Sequence, residues 1–180
     1  MLARSRRPQG RIRLAEPRDI AALAAIHVAS WHATYAGLIA PHNLARIELE
    51  RTKVRFRRHF WHDDDSLLHV LELPAGLVGY ASSGSAGDLG MRGEVYELYL
   101  EPSQRGRGYG RRLLSNALWT LSGRGQNPVM VWVLRDNHEA RCFYETLGGR
   151  EIGEGVAKFG DQRLAKVAYG WVDYLPWPED

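Results

Sequence analysis

A chain of 180 residues with 44% hydrophobic and 25% charged residues has ordinary globular composition and is long enough for one compact domain with its own core. The formal net charge of +3 and sequence pI of about 9.2 come almost wholly from arginine, which suits anionic ligands yet falls short of the dense basic surfaces of nucleic-acid binders. A single cysteine, Cys142, excludes an internal disulfide, and no apolar run reaches the length that spans a bilayer.

Residues Met1 to Gln9 are basic and without hydrophobic period, which describes a loose terminus. Glu16, Pro17, Asp19 and His27 interrupt the stretch that would have to serve as a secretory signal, so a cytoplasmic protein is expected. Ile12 and Leu14 alternate with Arg11 and Arg13 as a short first strand. Pro17 stands where a helix begins, and Ile20, Leu23, Ala24, His27 and Trp31 share one face of it, with His27 as a core-edge histidine. Past Tyr35 and Gly37, a second helix is expected from about Pro41 to Phe60. His59, His62 and Asp63 to Asp65 have the residue types of a zinc site but match no fixed motif, and they describe a polar helix end and turn with no metal. Leu67 to Leu73 and Leu77 to Ser82, parted by Pro74-Ala-Gly76, form a hairpin, and Ser83 to Gly93 is expected to be an exposed Gly/Ser loop.

Val95 to Leu100 is an aromatic and aliphatic strand bounded by Pro102. Gly110, Leu113, Leu114, Ala117, Leu118 and Leu121 then recur at helical spacing, which places a helix start near Arg105 to Gly108. At that start Gly106, Gly108 and Gly110 alternate with Arg105, Arg107 and Arg111 around Tyr109. Helix starts present unpaired N–H groups and partial positive charge, and glycines let an anion approach them, so the turn suits a pyrophosphate. A nucleoside-triphosphate loop would close on Gly-Lys-Ser/Thr, whereas lysine occurs here only at Lys53, Lys158 and Lys166. A dinucleotide fingerprint would set its third glycine one residue later. Val129 to Leu134 is a buried-type strand, followed by a short helix after Asn137 that carries Cys142 as a packing residue. Arg150 to Gly155 and Leu164 to Tyr174 are expected as two closing strands about a turn at Gly160-Asp161. The aromatic tail, Trp171 to Trp177, suits packing on the core or on a second subunit of a homodimer.

Two segments carry a resemblance. Arg105-Gly-Arg-Gly108-Tyr-Gly110, with the Leu-Tyr-Leu-x-Pro strand end before it, resembles the R/Q-x-x-G-x-G/A acyl-CoA signature of the GNAT superfamily of N-acetyltransferases. Asn137-His-Glu-Ala140-Arg-Cys-Phe-Tyr144-Glu-Thr-Leu-Gly148 resembles that family's N-x-x-A-x-x-F-Y-E-x-L-G segment. One departure is Gly149, where the family usually carries an aromatic. The resemblance covers nearly all of Arg11 to Tyr174. It implies a single α/β (α+β) domain over residues 11–180, after a flexible terminus at 1–10. That domain has a mixed, mostly antiparallel sheet with a parallel splayed central pair and about four flanking helices. It implies acetyl-CoA as co-substrate, with the pyrophosphate on the amides of Arg105 to Arg111 and the arginines assisting. The backbone of Leu98, Tyr99 and Leu100 would hold the pantetheine arm and thioester carbonyl, Asn137 would bond the arm, and Tyr144 would protonate the departing thiolate.

An acceptor amine with a pKa of about 10.4 costs about 4 to 5 kcal/mol to deprotonate at neutral pH. Glu97, set with Val95 and Tyr99 on one strand face, is the expected base, because partial burial lifts a carboxyl towards the range a base needs. Glu94 is the rival, and the three-residue offset puts it on the opposite face. Trp31, Tyr35 and Trp132 are the candidate acceptor contacts. The expected activity is acetyl transfer to a primary amine of a small molecule or peptide by direct attack in a ternary complex, with no nucleic-acid or membrane partner. The alternative is a non-catalytic acyl-CoA-binding or regulatory module, against which the joint presence of Glu97 and Tyr144 argues.

Overall fold

In the computed structural model, residues 10–61 and 66–172 are described. The expectations for the basic start, for His62 and Asp63 to Asp65, and for the tail beyond Val172 fall outside them. In chain order the elements are β1 (Arg11–Leu14), α1 (Ile20–Tyr35), the single turn α2 (Pro41–Leu44), α3 (Leu49–Trp61), β2 (Leu67–Leu73), β3 (Gly76–Ser85) and β4 (Gly93–Leu100). They continue as α4 (Tyr109–Gly123), β5 (Val129–Leu134), α5 (His138–Thr146), β6 (Arg150–Phe159) and β7 (Gln162–Trp171). The strands form one seven-stranded sheet in the order β1-β2-β3-β4-β5-β7-β6. Every neighbouring pair is antiparallel except the central β4 and β5, so this is the mixed sheet with a parallel central pair that the motifs implied.

The helical faces decide the two layers. Leu113, Leu114, Ala117, Leu118 and Leu121 of α4, at the predicted spacing, are wholly buried against Val95, Val129 and Leu71 on one face of the sheet. Ile20, Leu23, Ala24 and Ile26 of α1 pack with Phe56 of α3 against Leu68, Val70 and Tyr80 on the other. Gly79 of β3 leaves room for both β4 and α4: a Cβ there would stand 2.8 Å from the Tyr99 carbonyl oxygen of β4 and 3.1 Å from the Leu113 side chain of α4. No helix among the described residues is long and apolar enough to cross a membrane.

Three local expectations are corrected. The helix expected from Pro41 to Phe60 is broken at 45–48, because α2 is tied to the β6–β7 turn by Asn43 Nδ2 donating to Asp161 at 2.9 Å while α3 lies against α1. One straight helix cannot meet both anchors, and Ile47 in the break packs by Ile39, Leu44 and Leu134. The Gly/Ser loop is shorter than expected, since β3 runs on to Ser85 and pairs Ser83 with Val95 and Gly84 with Glu94. That pairing contains the third difference. Ser82 faces Glu97 and Ser83 faces Val95, so Tyr96 is the extra residue of a β-bulge. Its hydroxyl donates to the Ser85 carbonyl at 2.6 Å across Gly84, where a Cβ would stand 2.8 Å from that hydroxyl.

Between α1, α3 and the sheet lies a polar cluster of four side chains. Arg55 of α3 grips Glu97 of β4 with both terminal nitrogens, Nη1 to Oε1 at 2.6 Å and Nη2 to Oε2 at 3.2 Å. Arg55 Nη2 is also 3.2 Å from His27 Nδ1, and because a guanidinium only donates, Nδ1 is the unprotonated nitrogen. The Tyr80 hydroxyl is 2.7 Å from that nitrogen and 3.2 Å from Glu97 Oε2, so its one hydrogen is shared between two acceptors. Burial, assisted by the Arg55 charge, pushes the His27 imidazole down to about 3.

Two outcomes follow for stability. Gly79→Ala is expected to lower unfolding stability by about 1 to 3 kcal/mol, read from urea denaturation, and an unchanged midpoint would show that β4 and α4 make room for a methyl group at no cost. The folded-state pKa of His27 lies below its unfolded value of about 6.5, so the unfolded chain binds the extra proton and stability falls as pH drops from about 6.5 towards about 3. His69, also lowered by burial, acts in the same direction, so His27→Gln should flatten the fall in urea midpoint between pH 7 and pH 5 without abolishing it. An unaltered slope would remove His27 as a source.

Candidate functional site

β4 and β5 pair only through Gly93 with Val129 and Glu94 with Met130, and then part. On their outer edges each has an antiparallel partner along its length, β3 for β4 and β7 for β5, so no further strand fills the gap. A cleft of about 660 Å³ opens there, walled by Leu98, Tyr99 and Leu100 on one side and Val131 to Leu134 on the other. Both motif segments reach it, through Gly106, Gly108 and Gly110 from the loop before and at the start of α4 and through Asn137, Phe143 and Tyr144 at α5. α1 covers the opposite side with Trp31, Thr34 and Tyr35, and Ser30 Oγ donates to the Leu100 carbonyl at 2.7 Å.

The turn before α4 has the backbone its glycines allow. Gly106 and Gly108 have φ of 71° and 79°, a region that side-chain-bearing residues avoid, and Gly108 is the residue that starts the helix. The first amides of α4 therefore face outward with no intrahelical carbonyl to bond. Gly110 brings α4 against α5, since a Cβ there would be 3.3 Å from the Phe143 ring. Arg105 and Arg111 line the cleft, with Arg105 Nη2 donating to Thr34 Oγ1 at 2.7 Å. Arg107 and Tyr109 differ from expectation. Arg107 is exposed and outside the lining, while Tyr109, four residues before Leu113, falls on the buried helical face and is 7% exposed in the core. Only their backbone belongs to the turn.

Asn137 caps α5, its Oδ1 accepting the Ala140 N–H at 3.2 Å, which leaves its amide nitrogen as the group able to donate into the cleft. The Tyr144 ring is held by Phe143 at 5.2 Å and Trp171 at 6.0 Å. Burial, with the nearby Tyr35 hydroxyl, lifts the Tyr144 phenol well above its ordinary value, so it keeps its proton at any physiological pH. The departure at Gly149 has a local answer: a Cβ there would be 2.8 Å from the Trp171 indole, which packs over that spot from β7 and donates Nε1–H to the Leu147 carbonyl at 2.8 Å. Cys142, expected to pack, is exposed, because the inward phase of α5 is taken by Ala140, Tyr144 and Leu147.

The two carboxylates exchange standing. Val95 points into the α4 core, while Glu97 reaches the cluster between α1 and α3 beside Tyr99, so Glu97 and Val95 do not share a face. The bulge at Tyr96 accounts for this, since one extra residue reverses the alternation. The same reversal brings Glu94 to the cleft that Glu97 also lines. Glu97 is clamped by Arg55 and Tyr80. The Glu94 carboxyl is raised by burial, opposed by the Lys166 charge and assisted by Asp88.

The aromatic side is more extensive than sequence reasoning reached. The Trp31 ring packs against Tyr35 at 4.8 Å, tilted by 59°, and lies 5.9 Å from Phe159, while the Tyr35 and Tyr99 hydroxyls are 3.0 Å apart. Trp132 lines the floor with the Lys166 ammonium 3.8 Å over its ring. Phe159, Lys166 and the gripping role of Arg55 were not anticipated. The first two come from strands whose register no local pattern announces, and the Arg55–Glu97 pair spans 42 residues of sequence.

A family model described as Acetyltransferase (GNAT) family matches residues 20–148. The uncharacterized N-acetyltransferase YuaI of Bacillus subtilis is 28% identical over 167 residues, 90% of this chain and 92% of that protein. In fold, the GCN5-related N-acetyltransferase from Rhodopseudomonas palustris superposes with a TM-score of 0.74 at 21% identity, covering 93% of this chain and 98% of that one. yncA from Salmonella typhimurium, solved with its cofactor acetyl-CoA, gives a TM-score of 0.67 at 23% identity, covering 96% and 99%. With the family match spanning well over half its length, and both motif segments on one cleft at a strand split, the chain belongs to the GNAT acetyltransferase family and is an acyltransferase.

Proposed function

We propose that the protein transfers an acetyl group from acetyl-CoA to a primary amine of a small molecule or peptide by direct attack in a ternary complex. The observation that carries this reading is the convergence of the glycine turn, the unpaired edge of β4 and Tyr144 on one cleft with an aromatic wall. The outward amides and glycines of the turn suit the pyrophosphate, and the relative from Salmonella typhimurium was solved with acetyl-CoA. A backbone N–H among Leu98, Tyr99 and Leu100, past the last β4–β5 pair, suits the oxyanion of the tetrahedral intermediate. Donor and acceptor regions open into the same space, and the chain's one cysteine, Cys142, is exposed and outside the cleft lining, which favours attack without a covalent enzyme intermediate.

In this reading the amine nitrogen gives up its proton, bonds to the thioester carbon, and the C–S bond breaks as Tyr144 protonates the thiolate. Asn137 and the arginines Arg105 and Arg111 hold the cofactor, while Trp31, Tyr35 and Trp132 bound the acceptor. For the base we favour Glu94 over Glu97. A carboxylate already gripped by a guanidinium and a phenol has its lone pairs engaged, whereas Glu94 sits in the cleft with a carboxyl raised by burial.

Tyr144→Phe is expected to lower kcat by about 10²-fold or more while acetyl-CoA affinity by calorimetry stays within a few-fold. Equal turnover in that variant would remove Tyr144 from the acid role. Glu94→Gln is expected to cost a similar factor in kcat and to abolish the acidic limb of the pH–rate profile. Glu97→Gln should mainly lower stability, modestly, through loss of the Arg55 ion pair. The reverse ranking of the two in stopped thiol-release assays would return the base to Glu97.

A further inference from the structure

The acceptor side of the cleft carries charge of both signs on one face of the sheet. Trp132 pairs with Ala168 and Leu134 with Lys166, so Lys166 and Trp132 project to the same side, which is also the side of Glu94 through its pairing with Met130. All three line the cleft. The Lys166 ammonium rests 3.8 Å over the Trp132 ring, a cation–π seat that positions it without an ion pair. Gly155 of β6, opposite Lys166, makes the seat possible: a Cβ there would be 3.1 Å from Lys166 Cε and 3.3 Å from the Trp132 ring. Other cations at this end are engaged, Arg55 with Glu97 and Arg105 with Thr34.

A carboxylate and an ammonium presented together over an aromatic floor complement a ligand bearing both charges. We propose that Lys166 recognises an anionic group on the acceptor, so that the substrate class is an aromatic or apolar primary amine that also carries a carboxylate or comparable oxyanion. The acceptor's ammonium is drawn to Glu94 and its oxyanion to Lys166, which orients the nitrogen towards the strand split. This rests on the acetyl-transfer reading above and adds the acceptor's charge to it.

The test pairs amines that differ only by a carboxylate: L-phenylalanine with 2-phenylethylamine and L-tryptophan with tryptamine. Thiol release from acetyl-CoA is followed with wild type, Lys166→Met and Lys166→Arg. Wild type is expected to favour the carboxylate-bearing member of each pair. Lys166→Met should raise KM for that member about tenfold or more, lower or only slightly change KM for the plain amine, whose ammonium no longer meets a like charge beside Glu94, and be rescued in part by Lys166→Arg. A preference for the plain amines, or an equal KM rise for both members, would overturn the proposal. So would acetyl-CoA binding intact by calorimetry together with no turnover of any of the four and no binding of either amino acid to the CoA-saturated protein. Failure to bind acetyl-CoA at all would instead sink the acetyl-transfer reading.

Discussion

Two residue pairs hold β4 to β5, and the rest of the site depends on where that pairing stops. A parallel pair could in principle continue, but β4 is committed to the antiparallel ladder with β3 and β5 to that with β7. The two halves of the sheet diverge from Glu94 and Met130 onward. The inner edges of both strands are left with backbone donors and acceptors that no strand meets, and a sheet tolerates such an edge only where something else meets those groups. A ligand with its own amides is a suitable occupant, and the proposed acyl-CoA arm has them.

Around that split, packing sets the chemistry. Gly79 and Gly110 let α4 approach the sheet and α5 closely, which brings the outward amides at the start of α4 to the same cleft as Tyr144. Trp171, packed where Gly149 leaves room, buttresses the Tyr144 ring from β7 and helps keep its phenol protonated by burial. On the other face, the cluster of His27, Tyr80, Arg55 and Glu97 ties α1 and α3 to β3 and β4. Its cost is a neutral histidine that acid will seek to charge and a carboxylate with little freedom left.

The bulge at Tyr96 shows how one residue can redirect a functional argument. Simple alternation along Val95 to Tyr99 sets Glu97 with Val95 and sends Glu94 away. With the extra residue in place, Glu94 faces the cleft and Glu97 meets Arg55. Nothing local to β4 announces this. The hint lies across the ladder at Gly84, whose missing Cβ makes room for the Tyr96 hydroxyl, and that relation exists only once the register is known. Tyr109 is a second case: the sequence set it within the glycine turn, and its position four residues before Leu113 puts its ring in the core instead.

The sequence by itself determined the half of the cleft proposed to hold the donor. The glycine and arginine spacing at 105–111, the segment from Asn137 to Gly148 and the helical period of Gly110 to Leu121 are local patterns, and each folds as its own backbone preferences require. Only the tertiary structure decided the half proposed to meet the acceptor. Which carboxylate faces the cleft depends on a bulge, the grip on Glu97 comes from a helix 42 residues away, and Lys166 reaches Trp132 through the β5–β7–β6 register and the space left by Gly155. These are contacts between distant segments, and a side chain's electrostatic role is set by whichever neighbours the packed sheet brings to it.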